Sequence, residues 1–392
     1  LNLERFSETK YKSNLKVLLV NLFVTYSVSS KMYLAVPRGA GDYSASRYNS
    51  NNIGYKVFIK IFDALTKLKY IEYHPGHYDS FTASGNRSRI RAKTKLIKYF
   101  KSNGIYTAMI TNDKEEETII LKKSKDESIN PNRKDLVHYI DNPTTNKMRS
   151  NLEEINTLLD RTWIDIEISD KELIKLNQAM DREPDKSPID FTRRKLRRIF
   201  NNSSFEHGGR FYHGWWQEIP STYRKYITIS GKLTEEEDFS GIHIRMLYAF
   251  EGIELGSEDT YLIEGYGTKY RKQVKVALNT IINAKTKKAA ISSINKELTL
   301  PKNTSAEDLF NQLKLKHPSI AKYFATGIGI ELQYIDSQIA EKVMIRLSKD
   351  NIVALPIHDS FIVRMSHIND LKKEMNKAYK EVLSTEAIID KK

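Results

Sequence analysis

Two short stretches of this chain combine residue types that could carry metal-assisted chemistry. The first is Glu237-Asp238-Phe239-Ser240-Gly241-Ile242-His243-Ile244-Arg245, in which an aspartate closes an acidic run and precedes a helix-like Ile-His-Ile-Arg-Met-Leu-Tyr segment. The second is Pro356-Ile357-His358-Asp359-Ser360-Phe361-Ile362-Val363, where His-Asp-Ser sits between two β-rich runs, as at the tip of a hairpin. Two carboxylates delivered by neighbouring strand ends are what a pair of divalent metals needs to drive phosphoryl transfer. Strand ends supply the necessary rigidity better than loops do. Alone, His-Asp-Ser is a weak tripeptide. It lies 121 residues (359 − 238) after the Asp-Phe-Ser-Gly strand end.

The flanking sequence offers elements to position these aspartates. Arg210-Phe211-Tyr212 and Tyr226-Ile227-Thr228-Ile229 read as strands, with Gly208-Gly209 and Ser230-Gly231 as breaks. The strand leading into Asp238 would complete an antiparallel sheet, and the hairpin centred on Asp359 would join it. Helical runs fall between them at 270–288, 306–315 and 333–347. A small sheet backed by helices is an α+β arrangement.

Upstream, 126–143 is polar and reads as a linker, and 148–200 is expected to be mostly helical. Leu152, Ile155, Leu158 and Leu159 mark one amphipathic helix, and Leu173, Ile174, Leu176 and Met180 a second. The basic run 191–200 is expected to add a short third one. Asp165-Ile166-Glu167 has the Asp-x-Glu form that opens a proofreading exonuclease. It lies too near the acidic run for such a domain, so both acids read as surface residues. In the first region, Val57, Phe58, Ile61, Phe62, Leu65 and Leu68 recur at helical spacing, followed by the β-rich Tyr70-Ile71-Glu72-Tyr73. A polar loop with Ser84-Gly85-Asn86, the alternating Arg87, Arg89 and Arg91, and a helix over 93–101 come next. That order fits a winged helix, with the 55–69 helix in a groove and the basic loop on phosphates. It equally fits a small α+β domain with a solvated basic hairpin.

The chain of 392 residues exceeds one ordinary core and fits two or three domains. We expect 1–125 as the winged-helix-like nucleic-acid-binding domain, 126–204 as linker and helical thumb-like region, and 205–392 as the catalytic domain. With 40% hydrophobic and 29% charged residues, the composition is that of a soluble folded protein. The absence of cysteine excludes disulfides, thiolate metal sites and cysteine nucleophiles. The most apolar segment, 15–28, is interrupted by Lys16 and Asn21 and is shorter than a membrane helix needs, so a buried helix is expected there and no membrane partner. No secretory signal is evident. A net charge of +14 points to a polyanionic partner, although a Lys- and Asn-rich chain also follows from an AT-rich genome. The basic residues do cluster, at Arg87, Arg89, Arg91, Lys93 and Lys95 and again at Arg193, Arg194, Lys195, Arg197 and Arg198.

Over roughly 205–365, several motifs in order resemble those of family A DNA polymerases and phage-type single-subunit RNA polymerases. Asp238-Phe239-Ser240 resembles the family A Asp-Tyr-Ser motif, and His358-Asp359-Ser360-Phe361 resembles the second aspartate motif in its RNA polymerase form. The resemblance implies a right-hand polymerase palm with a helical fingers insertion. It implies that Asp238 and Asp359 are catalytic and hold two Mg2+ ions, with Mn2+ as an alternative ion, and that the Phe239 carbonyl completes one shell. Arg271 and Lys275, one turn apart on a helix, are similar to the fingers residues that hold the incoming triphosphate. Asn279 stands where family A has an aromatic, and Asn283-Ala284 where both families have Tyr-Gly, which puts base checking in doubt. Gly209-Arg210 matches a Gly-Arg whose arginine contacts the primer–template minor groove. Gln333, in Leu332-Gln333-Tyr334-Ile335-Asp336, is similar to a glutamine that touches the template, with the spacing one residue short, and His358 would contact the primer terminus. Trp215 and Trp216 read as core packing.

These expectations converge on a DNA-directed DNA polymerase that takes a primer–template and dNTPs, with other replication proteins as further partners. A cytoplasmic location, associated with the nucleoid or a mobile element, goes with it. At the sugar-selecting position family A has glutamate, RNA polymerases have glycine, and this chain has His243; in a shifted register Gly241 would take that place. A primase-like or DNA-directed RNA polymerase using NTPs is therefore the near alternative. A replication initiator carrying a degenerate, non-catalytic palm is an alternative of another class.

Overall fold

Apolar residues at helical spacing and short β-branched runs build two compact units in the computed structural model, one formed by Leu1–Thr118 with Ile168–Lys195 and the other by Ile119–Glu167 with Leu196–Lys392. The structure describes all residues except 1–8, 80–83, 112–114, 126–134, 184–186, 257 and 302–303. Half of the expected linker, 126–134 with Asn130-Pro131-Asn132, lies outside the described residues.

In the first unit, α1 (Thr9–Val28) and α2 (Tyr55–Lys67) flank β1 (Leu34–Ala35). They are followed by β2 (Ile71–His74), a hairpin of β3 (His77–Asp79) and β4 (Ser84–Asn86), then β5 (Arg89–Ala92) and α3 (Thr94–Ser102). The apolar run of α1 buries Leu18, Leu22 and Phe23 against Phe58, Phe62 and Leu65 of α2, as a buried rather than a spanning helix. No helix among the described residues is long and apolar enough to cross a membrane. The Asn14 side chain of α1 accepts from the Gly54 amide at 3.2 Å and so ties α1 to the start of α2. β1, β5 and β2 form an antiparallel sheet in that order, with Ile90 of β5 and Ile71 of β2 facing the core.

The second unit begins with β6 (Ile119–Leu121), α4 (Pro143–Asp160) and β7 (Ile164–Ile166). Asn142-Pro143, expected to end a linker, instead starts α4: the Asn142 side chain accepts from the Thr145 amide at 2.9 Å, and Pro143 needs no amide partner in the first turn. The second expected amphipathic helix, marked by Leu173, Ile174, Leu176 and Met180, is α5 (Asp170–Asp181), which belongs to the first unit. Ile174 of that helix is exposed, while Leu176 and Met180 are buried.

The basic helix expected over 191–200 is not formed. Arg197–Asn201 is strand β8, paired in parallel with β6 and antiparallel with β9 (Ser204–Tyr212). The reason is visible in burial: Leu196, Arg198 and Phe200 are all inside, a period of two that an arginine at a core position disguises. Arg198 is fully buried and fully engaged, donating to the Gly209 carbonyl (2.9 Å), to Glu341 (2.7 Å) and to Ser337 (3.1 Å).

The remaining elements are α6 (Ser221–Arg224), β10 (Ile227–Ile229), β11 (Lys232–Phe239), α7 (Ile242–Phe250), α8 (Arg271–Asn283), α9 (Lys287–Glu297) and α10 (Ala306–Lys316). After them come α11 (Gly329–Lys349), β12 (Leu355–Ile357), β13 (Ser360–Arg364), α12 (Ile368–Leu383) and β14 (Ile389–Lys391). The main sheet runs β12-β13-β11-β10-β7, with β14 added beside β11. The strand holding Arg210 is not part of it, because β9 pairs with β8. α12 covers one face of the sheet: Phe239 of β11 lies 5.6 Å from the Tyr379 ring and 6.5 Å from that of Phe361. Trp215 and Trp216 are core residues, and the Trp216 indole donates to the Pro356 carbonyl (3.2 Å), which supports β12 just before the His-Asp-Ser turn.

Candidate active site

Strand register brings the two aspartates to one end of the sheet. β11 and β13 run antiparallel with Asp238 opposite Ser360, and the Phe239 amide donates to the Asp359 carbonyl at 3.2 Å. Asp359 is the second residue of the two-residue turn between β12 and β13. Its neighbour His358 takes the left-handed region at φ 59, a costly conformation for a residue with a Cβ and one that recurs at functional sites.

β11 carries four acids in a row, and each draws cations from its surroundings. Glu235 pairs with Lys391. Glu236 pairs with Arg224 at 3.1 Å and accepts from the Ser360 hydroxyl at 2.6 Å. The fully buried Glu237 faces Lys372 at 3.1 Å, and Asp238 faces the Lys392 ammonium at 3.3 Å. Asp238 nonetheless keeps one buried oxygen, Oδ1, with no hydrogen-bond partner among the described residues. Burial, reinforced by the Asp359 charge, pushes its carboxyl up to about 6, against the pull of Lys392 and Lys275.

Carboxylate oxygens of Asp238 and Asp359 with the Phe239 carbonyl are an all-oxygen donor set, which suits a hard divalent cation. A buried carboxylate oxygen without a partner also fits such an ion. Among the described residues, no group of three or more His, Asp or Glu side chains converges as a metal site.

α8 presents Arg271, Lys275 and Asn279 on its exposed stripe, one turn apart. Both cations share one aromatic shelf: the Tyr261 ring lies 5.2 Å from the Arg271 guanidinium and 5.6 Å from the Lys275 ammonium. Arg271 is also paired with Asp259. Gly241 opens α7 at φ 59, a backbone conformation that favours glycine, and a Cβ there would stand a tight 3.1 Å from the Tyr261 hydroxyl.

Arg210, on β9, is bound to Asp336 of α11 and approaches His243 at 3.1 Å. His358 packs edge-on to Tyr212 at 5.7 Å, and desolvation together with the Arg210 charge holds its imidazole below the ordinary range. Gln333 is half-buried on α11, three positions before Asp336.

Asp238, Asp359, Arg210, His358, His243 and Lys275 thus share one region of the second unit. Arg87, Arg89 and Arg91 lie in the first. There Arg91 is held by Glu72 at 2.6 Å and stacks 4.6 Å over Tyr33. Hydrogen bonds from Arg91, His74 and Tyr33 pull the Glu72 carboxyl down to about 2.

Sequence reasoning gave no role to Tyr261 or Lys392, and quoted Asp336 only as the end of the Gln333 motif. Only Asp336 carried a usable signal: an acid in that motif, on the face of α11 that also buries Leu332, Ile339, Ala340 and Val343.

A scan against protein-family models finds no match, and a search of curated proteins finds none. Among solved structures, the chain is similar to the POL domain of Pol1 from M. smegmatis in complex with DNA primer-template and dNTP, at 12% identity and a TM-score of 0.36. The match covers 51% of this chain and 47% of that one, so the chain spans about half the length of this neighbour.

Proposed function

We propose that the chain is a nucleic-acid-templated nucleotidyltransferase, a DNA-directed DNA polymerase that works with two Mg2+ ions. The observation that supports this most is the register of β11 and β13, which sets Asp238 beside the Asp359 turn at one sheet end. The unpartnered Asp238 oxygen agrees with it. Divalent ions on these carboxylates would supply Lewis-acid stabilisation of the attacking 3′-oxygen and the leaving pyrophosphate. The chain's own residues do the rest. Arg271 and Lys275 bind the triphosphate, the Tyr261 shelf keeps both side chains from folding away, and Asn279 extends the same stripe. Arg210 faces the primer–template minor groove, His358 contacts the primer terminus, Gln333 meets the template, and His243 borders the incoming sugar. The first unit, whose helix–hairpin–helix order suits a winged helix, engages duplex phosphates through Arg87 and Arg89.

One observation favours the non-catalytic reading: the Lys392 ammonium, 3.3 Å from Asp238 Oδ2, already gives this acid a cation. An amine there neutralises the acid without chemistry, as a degenerate palm would. A primed DNA template with Mg2+, tested separately with dNTPs and NTPs, decides between the readings. Templated extension by dNTPs supports the proposal, and extension by NTPs alone makes the enzyme primase-like. Binding without extension under both conditions leaves the initiator.

A further inference from the structure

Two polar side chains near the carboxylate pair are gathered around one buried acid. The Asp336 side chain is 1% exposed, on the buried side of α11. A carboxylate in such a place needs partners, because an isolated buried charge is heavily penalised. Arg210 donates from Nε to Oδ1 (3.1 Å) and Oδ2 (2.9 Å), and a terminal guanidinium nitrogen adds a third bond to Oδ2. His243 Nε2 stands 3.0 Å from the same Oδ2 and 3.1 Å from the Arg210 terminal nitrogen.

A guanidinium only donates, so the two contacts of His243 Nε2 are alternatives. A hydrogen-bearing Nε2 donates to Asp336, whereas a bare Nε2 accepts from Arg210. The carboxylate is the stronger partner for a ring N–H, which assigns the proton to Nε2. The ring is then fixed by a charge-assisted bond to Asp336. The three groups come from three elements, β9, α7 and α11. The cluster also adjoins the carboxylate pair, since the Arg210 charge is felt at His358 and the Asp359 charge at Arg210.

We propose that Asp336 is a positioning residue for sugar discrimination. It clamps His243 and Arg210 into one unit, so the imidazole bordering the incoming sugar cannot swing aside for a 2′-hydroxyl. Asp336 itself touches neither nucleotide nor primer. The inference rests on the polymerase reading above and adds to it a residue that acts only through His243 and Arg210. A merely structural Asp336 would affect both sugars alike, which is what separates the two roles.

The test is single-nucleotide incorporation of dATP and of ATP on a primed DNA template with Mg2+. Wild type, His243→Ala, Asp336→Asn and the double variant are compared, with folding checked by thermal melting. Asparagine keeps the shape and one acceptor oxygen for Arg210 but loses the charge that fixes the ring. Asp336→Asn should lower the dNTP-to-NTP ratio of kcat/KM by about 5- to 10-fold. The double variant should lower it no further than His243→Ala does, because both remove the same constraint. Parallel losses for both nucleotides at an unchanged ratio, or ratio effects that multiply in the double variant, would overturn the inference. If Asp336→Asn does not fold, Asp336→Glu, which keeps the charge but displaces it by one methylene, carries the same expectation. A wild type that incorporates neither nucleotide overturns the polymerase reading and this inference with it. An active wild type whose ratio ignores Asp336 overturns the inference alone.

Discussion

Asp238 sits in a fold that works against its charge. Its unfolded counterpart ionises near pH 4, whereas burial and Asp359 hold the folded group up to about 6. Between those values the folded state binds the extra proton, so its stability falls as pH rises and the full penalty stands above pH 6. Asp238→Asn should therefore stabilise the metal-free protein at pH 7.5 by about 1–3 kcal/mol while removing activity. Thermal melts in chelator check this; an unchanged or lower Tm would mean that the Lys392 pair already compensates the acid. His317 shows the opposite sign. Its ring is buried, lies 2.9 Å from the Tyr248 hydroxyl and 3.0 Å from the Thr260 carbonyl, and desolvation holds it down to about 4. The unfolded chain takes up this proton near pH 6.5, so stability is lost as pH falls from about 6.5 to 4. In His317→Gln, which retains a donor and an acceptor, that portion of the acid sensitivity should vanish. A wild-type-minus-variant Tm difference that is flat across this window would contradict it.

At the scale of elements, the helices were readable because their burial follows the apolar periodicity. Leu152, Ile155, Leu158 and Leu159 of α4 are all buried, and α10 begins and ends near where the pattern places it. By contrast, α11 starts earlier, and the run expected over 270–288 is split, α8 ending at Asn283 and α9 starting at Lys287. The two aspartate strands were readable for a different reason, each ending in residues of distinctive type. What escaped is where polar residues occupy core positions or where pairing is long-range. β8 looked helical because Arg198 stands at a buried position, and only contacts with Glu341 and Ser337, distant in sequence, make that tolerable. β14 is three residues long, and nothing in it announces a pairing with β11. Arg198→Ala should cost about 3–5 kcal/mol, since it strands Glu341 with an uncompensated charge. The double variant Arg198→Met/Glu341→Gln should recover most of that loss. Chemical denaturation of the three proteins tests it, and a double variant no better than the single one would show that the pair is not the pin between β8 and α11.

For the whole molecule, the net charge of +14 is the feature that most directly bears on a polyanionic partner. The charge is not uniformly available, because Arg91 is already paired with Glu72. Replacing Arg87 and Arg89 by alanine should flatten the salt dependence of duplex binding by about two units, roughly 0.9 per phosphate contact, while Arg91→Ala adds little. Equal contributions from all three would place Arg91 on phosphate and Glu72 in no competing role. The central claim is that Asp238 and Asp359 together perform templated nucleotidyl transfer, and one measurement reaches it directly. A labelled primer–template is bound to wild type, Asp238→Asn and Asp359→Asn, its affinity is read by anisotropy, and extension is then started with dNTPs and Mg2+ in the same sample. The account predicts extension by the wild type, a loss of about 1,000-fold or more in either variant, and affinities within a few-fold of one another. Extension by the variants at the wild-type rate, or tight DNA binding by a wild type that never extends, would contradict it.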